Sequence, residues 1–390
     1  MDRQNRIMKK LPHKITQKLQ QREQNNALRK MSVLNNLIDF ASNDYLGFAQ
    51  NEAIFDQTHR YLVENTIKVN GASGSRLLSG NHPLYLVAEE VIARFHQSED
   101  ALIFNSGYDA NVGFFFFLPQ RNDVVFYDEL CDASIRDGIQ LGNAKAYKFG
   151  HNDVEELERS IEKFTSSSHQ PTIYIVTESV FSMDGDTPNL EELVLLSEKY
   201  NCYLIIDEAH AIGVYGENGA GLVQMMELQD RIFARIVTFG KALGCHGAAI
   251  LGSLELKQYL INFSRSFIYT TGLSPHSVAT ILFAYHQLQA EKNAMEKLKQ
   301  NIQIFNQQKM QLGLKPMFVY SKSAIQCAII PGNKKVKNIA TQIQQAGFDV
   351  KPILSPTVPE GQERLRFCLH SFNSEKEITD VLQLLATFVF

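Results

Sequence analysis

An α/β architecture with a mostly parallel sheet, followed by a smaller α+β domain, is expected from three observations. Between residues 84 and 252, short apolar runs alternate with stretches of helical periodicity. Those runs are apolar along their whole length, as strands covered on both faces are. After Pro275 the order changes to long helical stretches, then short strands and a final helix. Strands separated by helices of about 10–15 residues imply βαβ units and a parallel sheet. The chain has 390 residues and is 44% hydrophobic, enough for two or three domains. The expected division is 1–45, an N-terminal helix and strand; 46–275, the large domain; and 276–390, the small one.

The elements follow in order. Residues 14–31 place Ile15, Leu19 and Leu28 on a mostly charged background, which predicts a helix lying on another surface. Leu37-Ile-Asp-Phe-Ala is a short strand that ends at the turn-rich Ser42-Asn43-Asp44-Tyr45-Leu46-Gly47. The repeating unit predicts helices over 84–96, 107–117, from about 134, 154–164 and 190–200. Its strands fall at 101–104, 124–127, 145–149, 172–178, 203–207, 232–239 and 248–252. Residues 276–312 read as helical, 325–330, 348–352 and 364–369 as strands, and 375–388 as a closing helix.

Composition excludes several classes. Net charge is −4 and Lys and Arg are scattered, so nothing points to nucleic acid. The five cysteines are odd in number, far apart and in no CxxC pair, which argues against disulfides or zinc and suits a reducing cytoplasm. The polar N-terminus lacks the apolar core of a signal peptide. The longest strongly apolar run, Val112–Leu118, falls far short of the roughly 20 residues that span a bilayer. No membrane partner is expected, and the cytoplasm is the expected location.

In parallel sheets, ligands bind at the carboxyl ends of the strands. Asp207 ends the strand Tyr203-Leu-Ile-Ile-Asp207, with His210 one short turn further on. A carboxylate there needs a cation or water, though capping the next helix is an equal reading. Lys241 follows the strand 232–239 inside Gly240-Lys-Ala-Leu-Gly244, where the glycines allow close backbone approach. A lone lysine after a strand is usually a solvated charge. Its weight here comes from converging on the same sheet edge as Asp207. A lysine that forms an imine, paired with an acid that keeps a ring nitrogen protonated, is what pyridoxal 5′-phosphate (PLP) needs. Ser106-Gly107-Tyr108 opens a helix after a strand and could offer N–H groups to a phosphate, and Thr238 could add a hydroxyl. In Arg364–His370, Leu365, Phe367 and Leu369 form one face while Arg364, Arg366 and His370 share the other. One of these arginines could fork a carboxylate; the alternative is a solvent-facing edge strand.

Over nearly its whole length the chain resembles the α-oxoamine synthases, a family of PLP enzymes. The matching segments are Ser42-NDYLG-Phe48, Gly71-ASGSRLLSG-Asn81, Asn105-SGYDAN-Val112, Thr177-ESVFSMDGD-Thr187, Asp207-EAHAIGVYG-Glu217, Thr238-FGKALG-Cys245, Tyr269-TT-Gly272 and Pro356-TVPEGQERLR-Phe367. Each is moderately specific, and their shared order and spacing is strong evidence. The resemblance implies the PLP-dependent transferase fold of type I, like aspartate aminotransferase. It implies that Lys241 carries PLP and serves as acid and base at the substrate Cα, and that Asp207 pairs with the ring nitrogen. His210 and Ser182 would bond near the ring hydroxyl. Gly107, Tyr108 and Thr238 would hold the phosphate, joined by Thr270 or Thr271 from a second subunit, so a homodimer sharing its active sites is implied. Asn43 and Arg366 would hold the amino-acid carboxylate, while Arg29 and Thr357 match positions that contact the acyl substrate.

One position departs from the family. Where its members carry a histidine that stacks on the cofactor ring, this chain reads Cys131-Asp132-Ala133-Ser134. Asp132 cannot stack. Either it faces the ring and weakens cofactor binding, or a nearby aromatic takes over the stacking. The reaction implied is a decarboxylating condensation of L-alanine with a pimeloyl thioester, on coenzyme A or a carrier protein. The alternative is glycine or serine with another acyl-CoA.

Overall fold

The computed structural model describes residues 10–29, 31, 36–165, 171–290 and 292–390. The first strand, β1 (Ile38–Asp39), pairs in parallel with Phe348–Asp349 far downstream. The next seven strands form one sheet: β2 (Asp100–Phe104), β3 (Val124–Asp128), β4 (Lys145–Phe149), β5 (Ile173–Glu178), β6 (Tyr203–Asp207), β7 (Ala234–Thr238) and β8 (Ala248–Gly252). Their order is β2-β8-β7-β6-β5-β3-β4. Only β8 is antiparallel to its neighbours. The carboxyl ends of the six other strands therefore emerge on one edge, which brings Phe104, Asp128, Glu178, Asp207 and Thr238 to the same side.

The continuous apolar runs have a simple cause. Val124, Phe126, Ile173, Ile175, Leu204 and Ile206 pack on the helices Val154–Thr165 and Leu190–Lys199. Their alternating neighbours Val125, Tyr174, Val176, Ile205 and Ile236 pack on the opposite face, against Gly107–Phe117, Ala133–Leu141 and Leu254–Phe263. Both sets are buried, so the period of two is hidden in the sequence. Each such aliphatic side chain contributes roughly 1.5–3 kcal/mol. Phe114 and Phe115 of the phenylalanine run lie in this core, their rings edge to face.

Four later strands complete the set: β9 (Ile325–Ile329), β10 (Phe348–Asp349), β11 (Lys351–Ile353) and β12 (Arg364–Cys368). The smaller sheet has the order β11-β12-β9 and is antiparallel. β12, with its two arginines, is bonded on both sides and is not a solvent-facing edge. Arg364 pairs with Asp184, Arg366 Nε donates to Ser182 O, and Ser321 Oγ donates to Gly185 O. These bonds seat the smaller sheet on the loop after β5. The helix Glu375–Val389 opens with a reciprocal capping box between Ser374 and Glu377.

Several elements differ from expectation. The N-terminal helix is His13–Gln24, shorter than 14–31. Asn26 adopts φ 53°, a conformation that asparagine tolerates and that stops the helix before Leu28. The stretch 276–312 is two helices, Pro275–Ala290 and Asn293–Gln311. Pro275–Ala290 packs on Glu52–Glu64 and Leu84–Phe95 of the large-sheet half. Glu52–Glu64 was not expected from the sequence, although Ile54, Thr58 and Leu62 bury one face at four-residue spacing and Asn51 caps it. Among the described residues no helix is long and apolar enough to cross a membrane.

Candidate active site

The end of β6 places Asp207, and the turn after β7 carries Lys241 back toward it. That turn is fixed by Gly244, which has φ 61° and where a Cβ would lie 2.1 Å from Ala49 N. Only glycine permits so close a contact. The turn is thereby packed against Phe48–Ala49, just after the Asn43–Tyr45 segment.

A line of hydrogen bonds runs from Lys241 to β12. Lys241 Nζ lies 2.8 Å from His210 Nε2, and His210 Nδ1 lies 2.7 Å from the Tyr45 hydroxyl. Tyr45 donates to Asn43 Oδ1 at 3.2 Å, and Arg366 Nη2 donates to the same oxygen at 3.0 Å. A hydroxyl has one proton. If Tyr45 gives it to Asn43, His210 donates its Nδ1–H to Tyr45 and leaves Nε2 to accept from Lys241. Burial holds His210 well below its ordinary pKa, and the Lys241 and Arg366 charges add to this. The imidazole is therefore neutral, as that arrangement requires.

A second cluster surrounds Asp207. Its Oδ2 accepts from Asn111 Nδ2 at 3.0 Å and its Oδ1 from Ala209 N at 2.8 Å. Asn111 also donates to Ser134 Oγ. The Asp132 carboxylate turns onto its own helix, accepting from Ser134 N at 2.9 Å and Ser134 Oγ at 2.6 Å as the N-cap of Ala133–Leu141. Its backbone N–H donates to Glu178 Oε1 at 2.7 Å. Three carboxyl groups thus share one corner. Burial pushes Glu178 well above the carboxylate range, and Asp207 and Asp132 reinforce this. Burial also raises Asp207 and lowers Lys241, while each favours the charge of the other.

At the neighbouring strand ends, Ser106 caps the helix Gly107–Phe117 through Asp109 N. The N–H groups of Gly107 and Tyr108 lie in the first turn, where no intrahelical carbonyl reaches them. A Cβ on Gly107 would lie 3.6 Å from Thr238 Oγ1, so the hydroxyl and the helix start face one space. Tyr108's ring is exposed and its hydroxyl donates to Asp137. Asn105 Nδ2 donates to Thr270 Oγ1 at 3.1 Å and to Thr271 O at 2.6 Å within the same chain. Arg29 Nη2 donates to Thr357 Oγ1 at 3.0 Å, bringing those two residues together at an exposed position. Among the described residues no hydrogen bond joins that pair directly to Lys241, His210 or Asp207. Among the described residues no group of His, Cys, Asp and Glu is placed to hold a metal ion.

The family model for aminotransferase class I and II matches residues 35–385. A putative 8-amino-7-oxononanoate synthase from Halalkalibacterium halodurans is 40% identical over 342 residues, 88% of this chain and 84% of its own. The 8-amino-7-oxononanoate synthase of Emericella nidulans is 36% identical over 391 residues, covering 96% and 95%. The chain belongs to the aminotransferase class I and II family, within its α-oxoamine synthases. Among solved structures, serine palmitoyltransferase from S. paucimobilis, with bound PLP and myriocin, superposes with a TM-score of 0.87 at 23% identity, over 96% of both chains. 8-amino-7-oxononanoate synthase from Francisella tularensis gives 0.76 at 27% identity, over 90% of this chain and 98% of that one. The chain is a PLP-dependent acyltransferase of the type I fold.

The α-oxoamine synthase residues fit the cofactor. A lysine amine, a buried carboxylate at a strand end, and a helix start facing a hydroxyl match the aldehyde, ring nitrogen and phosphate that PLP presents. Asn111 Oδ1 is buried with no hydrogen-bond partner among the described residues, a polar atom in the same corner that a bound group can serve. Sequence reasoning missed Tyr45, Asn111 and Glu178. All three sit inside segments quoted for the family resemblance, and Glu178 also ends an apolar strand as Asp207 does. The same rule would have found Glu178.

Proposed function

We propose that this α-oxoamine synthase joins L-alanine to a pimeloyl thioester with loss of CO₂, giving 8-amino-7-oxononanoate. The relatives of that name support the substrate pair. The observation that carries the site chemistry is the hydrogen-bonded line from Lys241 through His210 and Tyr45 to Asn43 and Arg366. Bound PLP supplies a protonated ring that accepts negative charge from the amino-acid Cα. Arg366 spends Nε on Ser182 O and one Nη2–H on Asn43, and its remaining N–H groups can fork the amino-acid carboxylate. Holding that carboxylate orients the Cα–H bond, and Lys241 Nζ takes the proton. His210, neutral and accepting at Nε2, steadies the amine between its two protonation states. The Cα then attacks the thioester carbonyl, the sulfur leaves as thiolate and takes a proton from solvent, and the carboxylate departs as CO₂. Lys241 returns a proton to Cα. Arg29 and Thr357 are assigned to the acyl chain.

A homodimer is part of this reading. Tyr269 and Leu78 are strongly exposed beside the segments that carry Thr270, Thr271 and Arg76, and a second copy would cover them. The cytoplasm is the proposed location, in keeping with five free cysteines.

The test is thiol release by the purified PLP-loaded protein. L-alanine with pimeloyl-CoA is compared with glycine and acetyl-, succinyl- or palmitoyl-CoA. Release only with the first pair is expected. Release with another pair would overturn the substrate assignment and keep the chemistry, and sedimentation as a monomer would overturn the dimer.

A further inference from the structure

Away from Lys241 a cleft opens between the loop Val214–Glu217, the helix Asn293–Gln311 and the segment 315–322. It encloses about 910 Å³, and none of the residues placed around Lys241 lines it. That volume lies within the range of small-molecule sites, roughly 300–1,000 Å³. Met225, Ile302, Met310 and Phe318 supply an apolar wall. Lys299, Lys315 and Lys322 stand exposed around it, and the only carboxylate among the lining residues, Glu217, is exposed and lies 3.7 Å from Lys292.

Lys309 is the unusual member of this lining. It is only 6% exposed, yet no carboxylate pairs with it among the described residues. Its Nζ donates to Gln326 Oε1 at 2.9 Å and lies over the rings of Phe318 and Phe305 at 5.0 and 6.0 Å. Burial drives its pKa down to about 8, with Lys315 adding to the effect. A buried ammonium without a counterion is costly, and an opposite charge brought beside it removes that cost. The hydroxyl of Tyr215, in the same lining, is buried with no hydrogen-bond partner among the described residues.

We propose that this cleft binds an amphiphilic anion, an apolar chain ending in one carboxylate or phosphate, with the Lys309 ammonium as the buried anchor of its head. The apolar wall takes the chain, and the three exposed lysines draw the anion in. The site lies outside the acyl-transfer machinery and does not depend on which substrates that machinery uses.

The experiment is isothermal titration of the full-length PLP-loaded protein with octanoate, octyl phosphate and 1-octanol. One anion should bind per chain and the alcohol should not; the tighter of the two anions identifies the head group. Lys309→Met should raise the dissociation constant at least tenfold. Met225→Trp, a change at a half-exposed residue of the wall, should abolish binding. Both variants should keep the wild-type absorbance change on adding alanine. Absence of binding by either anion, equal binding of the alcohol, or wild-type affinity in both variants would overturn the proposal.

Discussion

Tyr45→Phe tests the line from Lys241 to Arg366 directly. The hydroxyl is fully buried and bonds His210 Nδ1 at 2.7 Å and Asn43 Oδ1 at 3.2 Å. Removing it leaves the Nδ1–H of a buried, neutral imidazole without a partner, at a cost of about 1–3 kcal/mol in stability. It also removes what selects the tautomer. A bond of about 1–1.5 kcal/mol biases two tautomers by roughly tenfold. Without it, a proton on Nε2 faces Lys241 Nζ in place of a lone pair. Exchange of the alanine Cα proton for deuterium, followed by NMR in D₂O on the PLP-loaded protein, should slow by about tenfold. Urea unfolding should show the stability loss in parallel. An unfolding midpoint that falls while exchange stays within about twofold of wild type would refute the reasoning, because Tyr45 would then be a packing residue only.

Three further outcomes are expected. Asp132→Ala should cost about 1 kcal/mol by urea unfolding through the lost helix cap, while Asp132→Asn keeps the cap and the stability; Asp132→His should tighten PLP in an equilibrium titration, and unchanged affinity would show that Asp132 does not weaken it. Glu178 is held protonated by burial and by its acidic neighbours, so its folded pKa exceeds its unfolded one, and its own contribution to stability without PLP is complete below about pH 4.5 and is lost as pH rises toward the raised folded value. Glu178→Gln can still accept from Asp132 N and should match or exceed wild type from pH 7 to 9; a clear loss of stability there would contradict the protonated state. His151 bonds Asp128 at 2.9 Å and Asp186 at 2.7 Å; burial opposes its charge, but the two carboxylates outweigh this and raise its pKa to about 10. Its contribution is therefore complete below about pH 6.5 and lost as pH rises toward 10, roughly 3–5 kcal/mol at most, so the stability gap between wild type and His151→Asn should close over that range.

Much of this architecture was legible along the chain. Strands β2–β8 and the helices between them follow from apolar runs and helical periods, because burial on a sheet or helix face is repeated locally. Asp207, Lys241, Gly107 and Thr238 were legible too, since each stands where a strand ends and strand ends are where such sheets bind ligands. The limits of the N-terminal helix were not, because Asn26 stops it by a backbone conformation that no apolar pattern announces. Nor could the sequence order show that Tyr45 reaches His210 across 165 positions, or that Lys309 is buried with no counterion among the described residues, whereas the Asp132 cap is a local contact two residues long. The first two depend on partners that only folding brings together: the segment before Phe48 against the turn after β6, and the helix Asn293–Gln311 against β9. A side chain's local pattern reports how deeply it is buried; what it meets there is decided by the packing of distant segments.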